Sequence, residues 1–183
     1  MQNEIVESVK IWLKETVIGL NLCPFANREW QRKSIRFQVS AARSEQQLLQ
    51  DLVIELALLK KEPSIETTLL ILPDVLQEFD TYNQFLDFAD QMIEAMNMAG
   101  QYQIASFHPD YQFADTEAED AQNYTNRSPY PILHILREAS LEKAIQSYGD
   151  TEQIPENNVK LMNELGVTEM ARRLEQCYPQ ENQ

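Results

Sequence analysis

Two histidines, His108 and His134, are the side chains of this sequence best suited to proton transfer, and both lie within residues 101–138. The imidazole ring titrates near neutral pH, so it can give or take a proton there. Asp110 and Asp115 follow His108 closely, and a carboxylate can orient an imidazole ring during acid–base catalysis. We therefore predict a site in which His108 transfers a proton and one of the two aspartates orients it.

Arginine side chains near these residues are candidates for holding an anionic substrate. A guanidinium group binds a carboxylate or a phosphate through two parallel hydrogen bonds, which fixes the orientation of the anion. The candidate substrate-binding residues are Arg43, Arg127, Arg137 and Tyr111. The leading hypothesis is a small-molecule enzyme for an anionic substrate, with the reaction left open.

Other functions fit the same residues. His108, His134, Asp110 and Asp115 offer the imidazole and carboxylate ligands that zinc, manganese or iron binds, although their spacing is not a diagnostic pattern such as HExxH. A haem bound through Cys23 or a histidine is a further alternative. The protein could also be a non-catalytic ligand-binding or protein-interaction domain whose acidic helices meet a partner. In that case His108 would only donate to a loop carbonyl, and His134 would pair with Glu138. The sequence specifies no cofactor.

The two cysteines, Cys23 and Cys177, are far apart in the sequence. This spacing favours reduced thiols over a disulfide framework. Cys23 precedes Pro24 at the C-terminal side of a predicted helix, where the helix dipole disfavours a thiolate. A buried, unreactive Cys23 is therefore favoured over a nucleophilic thiol, and Cys177 lies in a polar tail.

Length and composition predict a single packed domain over residues 1–178, with a frayed polar tail at 179–183. The chain has 183 residues, of which 43% are hydrophobic and only 4 are glycine. Its formal net charge of -14 disfavours nucleic acid and anionic membranes as partners. The N-terminus lacks the order of a signal peptide, and no apolar run reaches membrane-spanning length, so a cytoplasmic location is expected. The oligomeric state is left open.

The hydrophobic pattern predicts an α/β fold with a small, mainly parallel three-stranded sheet wrapped by about six helices. Residues 34–41 and 102–108 alternate as half-buried strands do, whereas 67–72 is a continuous apolar run typical of a central strand. Helical spacing over 4–18, 44–60 and 81–98 predicts an N-terminal helix and two crossover helices. Since ligands bind beyond the carboxyl ends of parallel strands, we expect a polar pocket at that edge.

The last third of the chain is predicted to be helical. Ser128 could cap a helix with Pro129 and Pro131 in its first turn, continuing to Gly149. His134 and Arg137 would then lie on one side of that helix. Two shorter helices are expected over 155–165 and 168–176, on either side of Gly166.

Several blocks of the sequence resemble an uncharacterised bacterial family called domain of unknown function 1415. They are LNLCPFA at 20–26, FHPDYQFAD at 107–115, NRSPYP at 126–131 and IPENN at 154–158. The resemblance covers nearly the whole chain and implies a single-domain bacterial cytosolic protein. It brings no activity or catalytic residue with it. It does suggest that the Cys23 bend meets the His108 loop, which would make a thiol–imidazole pair conceivable.

Overall fold

A four-stranded mixed sheet lies at the centre of the protein, in a computed structural model that describes residues 2–148, 151 and 153–179. Its strands are β1 (Ile35–Val39), β2 (Thr67–Ile71), β3 (Tyr102–Phe107) and β4 (Ile132–Arg137). Their order is β1-β2-β4-β3, with β1 parallel to β2 and β4 antiparallel to both of its neighbours. The three predicted strands are confirmed and run in the same direction, but the expectation of three strands in a mainly parallel sheet is wrong.

The fourth strand replaces the first half of the helix predicted from Ser128 to Gly149. Residues 132–136 pair with β2 on one side, and residues 132–137 pair with β3 on the other. Their nearly continuous apolar run satisfies helical and strand patterns alike, so periodicity alone could not decide between them. Helix α5 (Glu138–Tyr148) begins only after this strand, and Gly149 lies outside the described residues.

Six α-helices are present in the described part of the chain. Besides α5 they are α1 (Gln2–Trp12), α2 (Ala26–Arg32), α3 (Glu45–Lys61), α4 (Phe79–Ala95) and α6 (Gln153–Glu175). The last of these is interrupted at Gly166, whose φ of 77° and ψ of 162° are not helical. The prediction of two short helices around this glycine is therefore confirmed in substance. Residues 180–183, most of the predicted frayed tail, lie outside the described residues.

The two faces of the sheet are covered by different helices. Helices α3 and α4 pack on one face, against Leu70, Leu133 and Ile135. Helix α1 packs on the other face, where Trp12 and Val9 lie in one cluster with Leu69, Ile71 and Ile132. Side chains alternate between the faces along each strand, and each fully buried aliphatic side chain contributes roughly 1.5–3 kcal/mol. Burial on both faces explains why β2 and β4 are so apolar.

Helix α1 widens into a π-helical turn over Leu13–Ile18, which the apolar spacing did not predict. Such turns are uncommon and occur frequently at functional sites. The chain leaves this turn through Gly19, where an added Cβ atom would lie 2.5 Å from the carbonyl oxygen of Glu15. The glycine therefore permits the close backbone approach that ends the turn.

The long segment between β3 and β4 is ordered around Asn123, which is buried. Its side-chain oxygen accepts hydrogen bonds from the backbone N–H of Phe113 and the hydroxyl of Thr116, at 3.1 and 2.8 Å. Its side-chain amide donates to the carbonyl of Glu117 at 2.7 Å. These bonds supply hydrogen-bond partners to backbone groups of a segment that has no strand beside it.

No helix within the described ranges is both long and apolar enough to cross a bilayer.

Candidate functional site

A cavity of about 200 Å³ lies over the face of the sheet that α1 covers. Its floor is the sheet face that carries Leu69, and its walls come from the π-helical turn, from the segment leading into α2, and from α5. Most of its lining is aliphatic or aromatic. Ligand sites in proteins are commonly concave and apolar with a few polar groups, so we treat this cavity as the candidate site.

The strand register brings the floor of the cavity together. Thr67 pairs with Leu136, and Leu69 pairs with His134, which in turn pairs with Ala105 of β3. All five side chains line the cavity, and they share one face because residues on neighbouring strands that pair directly point the same way. The antiparallel strand β4 therefore delivers His134 to the centre of the floor.

The walls above this floor come from two helical segments. They include Leu13 and Val17 of the π-helical turn, and Leu141 and Ala144 of α5. Arg28 of α2 also lines the cavity, and its side chain is 46% exposed, so the cavity reaches solvent on that side. A small molecule could enter there without passing through the sheet.

One hydrogen-bonded chain runs through the floor. The hydroxyl oxygen of Thr67 lies 2.6 Å from the carbonyl oxygen of Ile135 and 2.7 Å from Nε2 of His134. Two oxygens this close need a proton between them, and the Thr67 hydroxyl is the only source of one. Since that proton goes to Ile135, Nε2 of His134 must donate its own proton to Thr67. The remaining ring nitrogen, Nδ1, is then an unprotonated acceptor.

The surroundings of His134 keep its ring neutral. Burial lowers the pKa of His134 from 6.5 to about 4, because an imidazolium ion would lose its hydration there. His134 as a residue is only partly buried, and it lines the cavity. His134 is thus a neutral hydrogen-bonding group at ordinary pH.

Cys23 lines the same cavity. Burial raises the pKa of its thiol, an effect opposed by hydrogen bonds from the backbone of Phe25 and Ala26. The thiol is therefore protonated near neutral pH, as expected for a cysteine that is mainly a small apolar group. Cys177 is buried elsewhere, next to Leu174 and the α1 side of the core.

The arginines of the lining, and Glu29 beside them, are already engaged by the protein. Arg28 bonds to Glu29 at 2.5 Å, and Glu29 also accepts a hydrogen bond from Ser34 at 2.7 Å. Arg137 donates to the carbonyls of Leu59 and Ile65 near the end of α3, and to the Tyr102 hydroxyl. Arg137 therefore acts as a structural clamp between β4 and the C-terminus of α3, rather than as a free guanidinium for an anion.

His108, the centre of the predicted acid–base site, is fully buried on the opposite face of the sheet. Its Nδ1 accepts the backbone N–H of Asp110 at 3.0 Å, so Nε2 carries the proton and donates to the Leu76 carbonyl at 3.1 Å. The ring packs against Phe79 and Tyr82, with centroids 5.4 and 5.1 Å apart. Burial also lowers the pKa of His108. Neither nitrogen is left for a substrate.

The other predicted site residues do not converge on one point. Asp110, Asp115 and Arg43 are exposed at the surface. Arg127 binds the loop itself, donating to the carbonyls of Tyr111 and Ala118 at 3.2 and 2.7 Å. The Tyr111 ring packs against Phe79 and Phe113, with centroids 5.1 and 5.0 Å apart. These residues order the β3–β4 segment.

The proposed metal ligands are also separated. His134 lies beside Phe107, with ring centroids 6.1 Å apart, whereas His108 follows Phe107 and packs on α4 across the sheet. Within the described residues, no group of three or more His, Cys, Asp or Glu side chains is placed to hold a metal ion. The candidate metal ligands His108, His134, Asp110 and Asp115 are therefore not brought together.

The cavity does not lie where the rule for parallel sheets places a site. It extends over the face of the sheet, from Ile35 and Thr67 at the starts of β1 and β2 to Phe107 at the end of β3. The rule assumes helices that begin at the carboxyl edge of a parallel sheet. Here the inserted antiparallel strand and the α1 cover place the open space on a face instead.

A family model described as "Protein of unknown function (DUF1415)" matches residues 4–172. The chain belongs to this family. Comparisons with curated proteins and with solved structures gave no match. Two of the sequence blocks that resemble the DUF1415 family meet at the cavity, because Cys23 and Phe107 both line it. The cavity brings the thiol together with His134, not with His108.

Two lining residues of this DUF1415 protein were missed by sequence reasoning. The apolar run 67–72 predicts a central strand at Thr67 but no role for its hydroxyl. The helical pattern places Ser140 deep inside a helix from Ser128, whereas in the structure Ser140 lies in the first turn of a helix that begins at Glu138. A signal for Thr67 was present, since a hydroxyl in an otherwise apolar central strand needs a buried partner. For Ser140 no signal was available without knowing that 132–137 is a strand.

Proposed function

We propose that this protein binds a small, mainly apolar molecule in the cavity over the sheet face. The observation that carries the proposal is the cavity itself, about 200 Å³ with mostly aliphatic and aromatic walls and access at Arg28. An engineered apolar cavity of about 150 Å³ binds benzene, so this space suits a molecule of one or two small rings. We propose ligand binding alone, without a catalysed reaction, because binding requires no reactive group in the cavity.

The energetic cost of such a space supports a function for it. An enclosed cavity in a core costs about 24 cal/mol per Å³, so this volume costs at most on the order of 5 kcal/mol, and less to the extent that it opens to solvent at Arg28. That is comparable with the whole stability of many domains. A larger side chain at Ala105 or Ala144 would recover part of this energy. The small residues at these lining positions therefore favour a bound molecule as the reason for the space.

Acid–base catalysis on an anionic substrate is less well supported. It needs an accessible imidazole and an uncommitted guanidinium group near it. His108 has both nitrogens bonded to backbone groups, and Arg127 and Arg137 donate to backbone carbonyls. The cavity therefore replaces the His108 region as the place to look for a ligand.

Binding of benzofuran, a neutral two-ring compound, tests the proposal directly. We expect saturable one-to-one binding to the full chain by ligand-observed NMR. Ala144→Leu would fill the cavity and should weaken binding at least tenfold, while leaving stability unchanged or higher. Ala57→Leu is the matched control, because it adds the same atoms at an exposed position of α3. Absence of saturable binding of both benzofuran and the related compound indole would overturn the proposal.

A further inference from the structure

We infer that the ligand of the cavity is a neutral molecule with a hydrogen-bond donor that pairs with Nδ1 of His134. This inference rests on the proposed function and adds the chemistry of the ligand to it. It follows from the direction of the hydrogen bonds among Thr67, Ile135 and His134. Those bonds leave the floor of an apolar cavity with one fixed acceptor.

The direction of these hydrogen bonds is set by the Ile135 carbonyl group. The Ile135 carbonyl can only accept, so the single proton of the Thr67 hydroxyl lies between their oxygens at 2.6 Å. Thr67 can then only accept from His134, which fixes the imidazole proton on Nε2. A neutral imidazole carries one proton, so Nδ1 keeps a free lone pair.

Nδ1 has surface on which a ligand can act. No hydrogen bond to it is formed by the described residues, although Nε2 of the same ring is bonded. It is also not sealed in the core: within the described part of the chain, the buried side-chain polar atoms that lack a partner are the hydroxyls of Thr68 and Thr125. His134 lines the cavity, and the residue is only partly buried.

Two other polar groups of the lining do not make the same demand. Ser140 has a hydroxyl that can donate or accept, so it fits either kind of ligand. The Cys23 thiol is a weak donor and a weak acceptor, held protonated by burial that raises its pKa. On the sheet floor, among the described lining residues, the Nδ1 atom of His134 is the acceptor whose direction is fixed by its neighbours, and the Glu66 carboxyl group at the edge of the lining favours donors in the same way.

Charge excludes anions from the same position. A carboxylate placed at Nδ1 would meet a lone pair, unless the ring took up a proton that its buried position opposes. The nearby guanidinium groups of Arg28 and Arg137 are bonded to Glu29 and to backbone carbonyls. The ligand class is therefore a compact neutral molecule bearing an N–H or O–H group, in contrast to the anionic substrate expected from the sequence.

Indole and benzofuran form a matched pair for testing this inference. They have nearly the same size and shape, but indole has a ring N–H where benzofuran has an oxygen. A single hydrogen bond of ordinary strength should make indole bind about three- to tenfold more tightly to the unaltered protein. Dissociation constants would be measured by titration under identical conditions.

Two variants separate the acceptor from the shape of the site. In His134→Leu the ratio of the two constants should fall to about one. In His134→Gln the side-chain amide can donate to Thr67 and keep an oxygen as acceptor, so a preference for indole should persist. Equal binding of both compounds to the unaltered protein, or a preference that survives in His134→Leu, would overturn the inference alone. Failure of both compounds to bind would overturn the proposed function with it.

Discussion

The hydroxyl of Thr67 and the imidazole of His134 are joined at 2.7 Å across strands that run in opposite directions. Because Thr67 also donates to the Ile135 carbonyl, the pair fixes both the tautomer and the orientation of the ring. A central strand and the strand inserted beside it therefore hold a hydrogen-bonded polar pair in a mainly apolar floor. This arrangement has consequences for stability as well as for binding.

The stability of the protein should fall in mild acid because of His134. Burial lowers the pKa of its ring from 6.5 to about 4, so the unfolded chain takes up a proton at a higher pH than the folded chain does. Stabilisation is present above pH 6.5 and is lost as the pH falls from 6.5 to 4, by up to about 3 kcal/mol. The free energy of unfolding in urea would be measured across this range.

His134→Gln is the control for this pH effect, since it cannot take up the proton. Other titrating groups, including His108, are present in both proteins and cancel in the difference between their curves. The free energy of unfolding of the unaltered protein, minus that of His134→Gln, should become smaller or more negative as the pH falls from 6.5 to 4, because only the unaltered protein loses this stabilisation. Curves that stay parallel would show that His134 has an ordinary pKa.

Replacing Arg137 should destabilise the protein, because its guanidinium group bonds to carbonyls that would otherwise lose their partners. Arg137→Met is expected to lower the free energy of unfolding by about 3 kcal/mol. Arg43→Met removes the same charge at an exposed position and should change it by about 0.5 kcal/mol or less. Equal effects of the two changes in urea unfolding would contradict the clamp between β4 and α3.

Much of the fold was predictable from local patterns. The strict alternation in β1 and β3 and the continuous apolar run in β2 each indicate a strand, and the structure contains all three. The polar side of β1 has a cause that alternation alone does not give. Arg36 points towards α3, where it bonds to the buried Glu55 at 2.8 Å. The polar residue at position 36 of β1 therefore forms an ion pair under α3 and does not belong to a solvent-exposed face of the sheet.

The candidate site was much less predictable, because it depends on the fourth strand. The segment 132–137 carries prolines before it and apolar residues throughout, features shared by the start of a helix and by a buried strand. The structure resolves the ambiguity through tertiary pairing with β2 and β3, which no local pattern encodes. Misassigning it moved His134 from a sheet face to a helix and hid the cavity.

His108 misled sequence reasoning for a different reason. A histidine at the end of a strand, followed by an aspartate, resembles an acid–base pair in the sequence. In the structure the aspartate contributes its backbone N–H to the ring, while its side chain is exposed. The sequence cannot show which part of Asp110 faces the imidazole.

Removal of the His108 ring should therefore cost stability. His108→Ala would leave the Leu76 carbonyl and the Asp110 N–H without partners and open a space beside Phe79, for a loss of about 3 kcal/mol. Asp110→Asn keeps the backbone bond and should shift stability by no more than about 0.5 kcal/mol. Thermal and urea unfolding would compare the two variants. Unchanged stability of His108→Ala would contradict the structural role of His108.

Cys23 should report on the cavity through its rate of alkylation by iodoacetamide, a small neutral reagent. The chain has two thiols, and Cys177 is only 1% exposed with a pKa raised by burial to about 11. Cys23 also has a raised pKa but lines a cavity with access to solvent, so it should react first. Since the thiolate is the reactive form, its rate should rise about tenfold per pH unit while the pH stays below the pKa.

Saturating indole or benzofuran should slow the reaction of Cys23, because the ligand would occupy the space that the reagent must enter. A Cys177→Ala variant leaves a single thiol and makes the rate unambiguous, and mass spectrometry of the intact chain counts the modifications. Equal rates for Cys23 and Cys177 in the unaltered protein would mean that both react through global unfolding. Faster reaction of Cys177, or no protection of Cys23 by either compound, would contradict the placement of this thiol in the binding cavity.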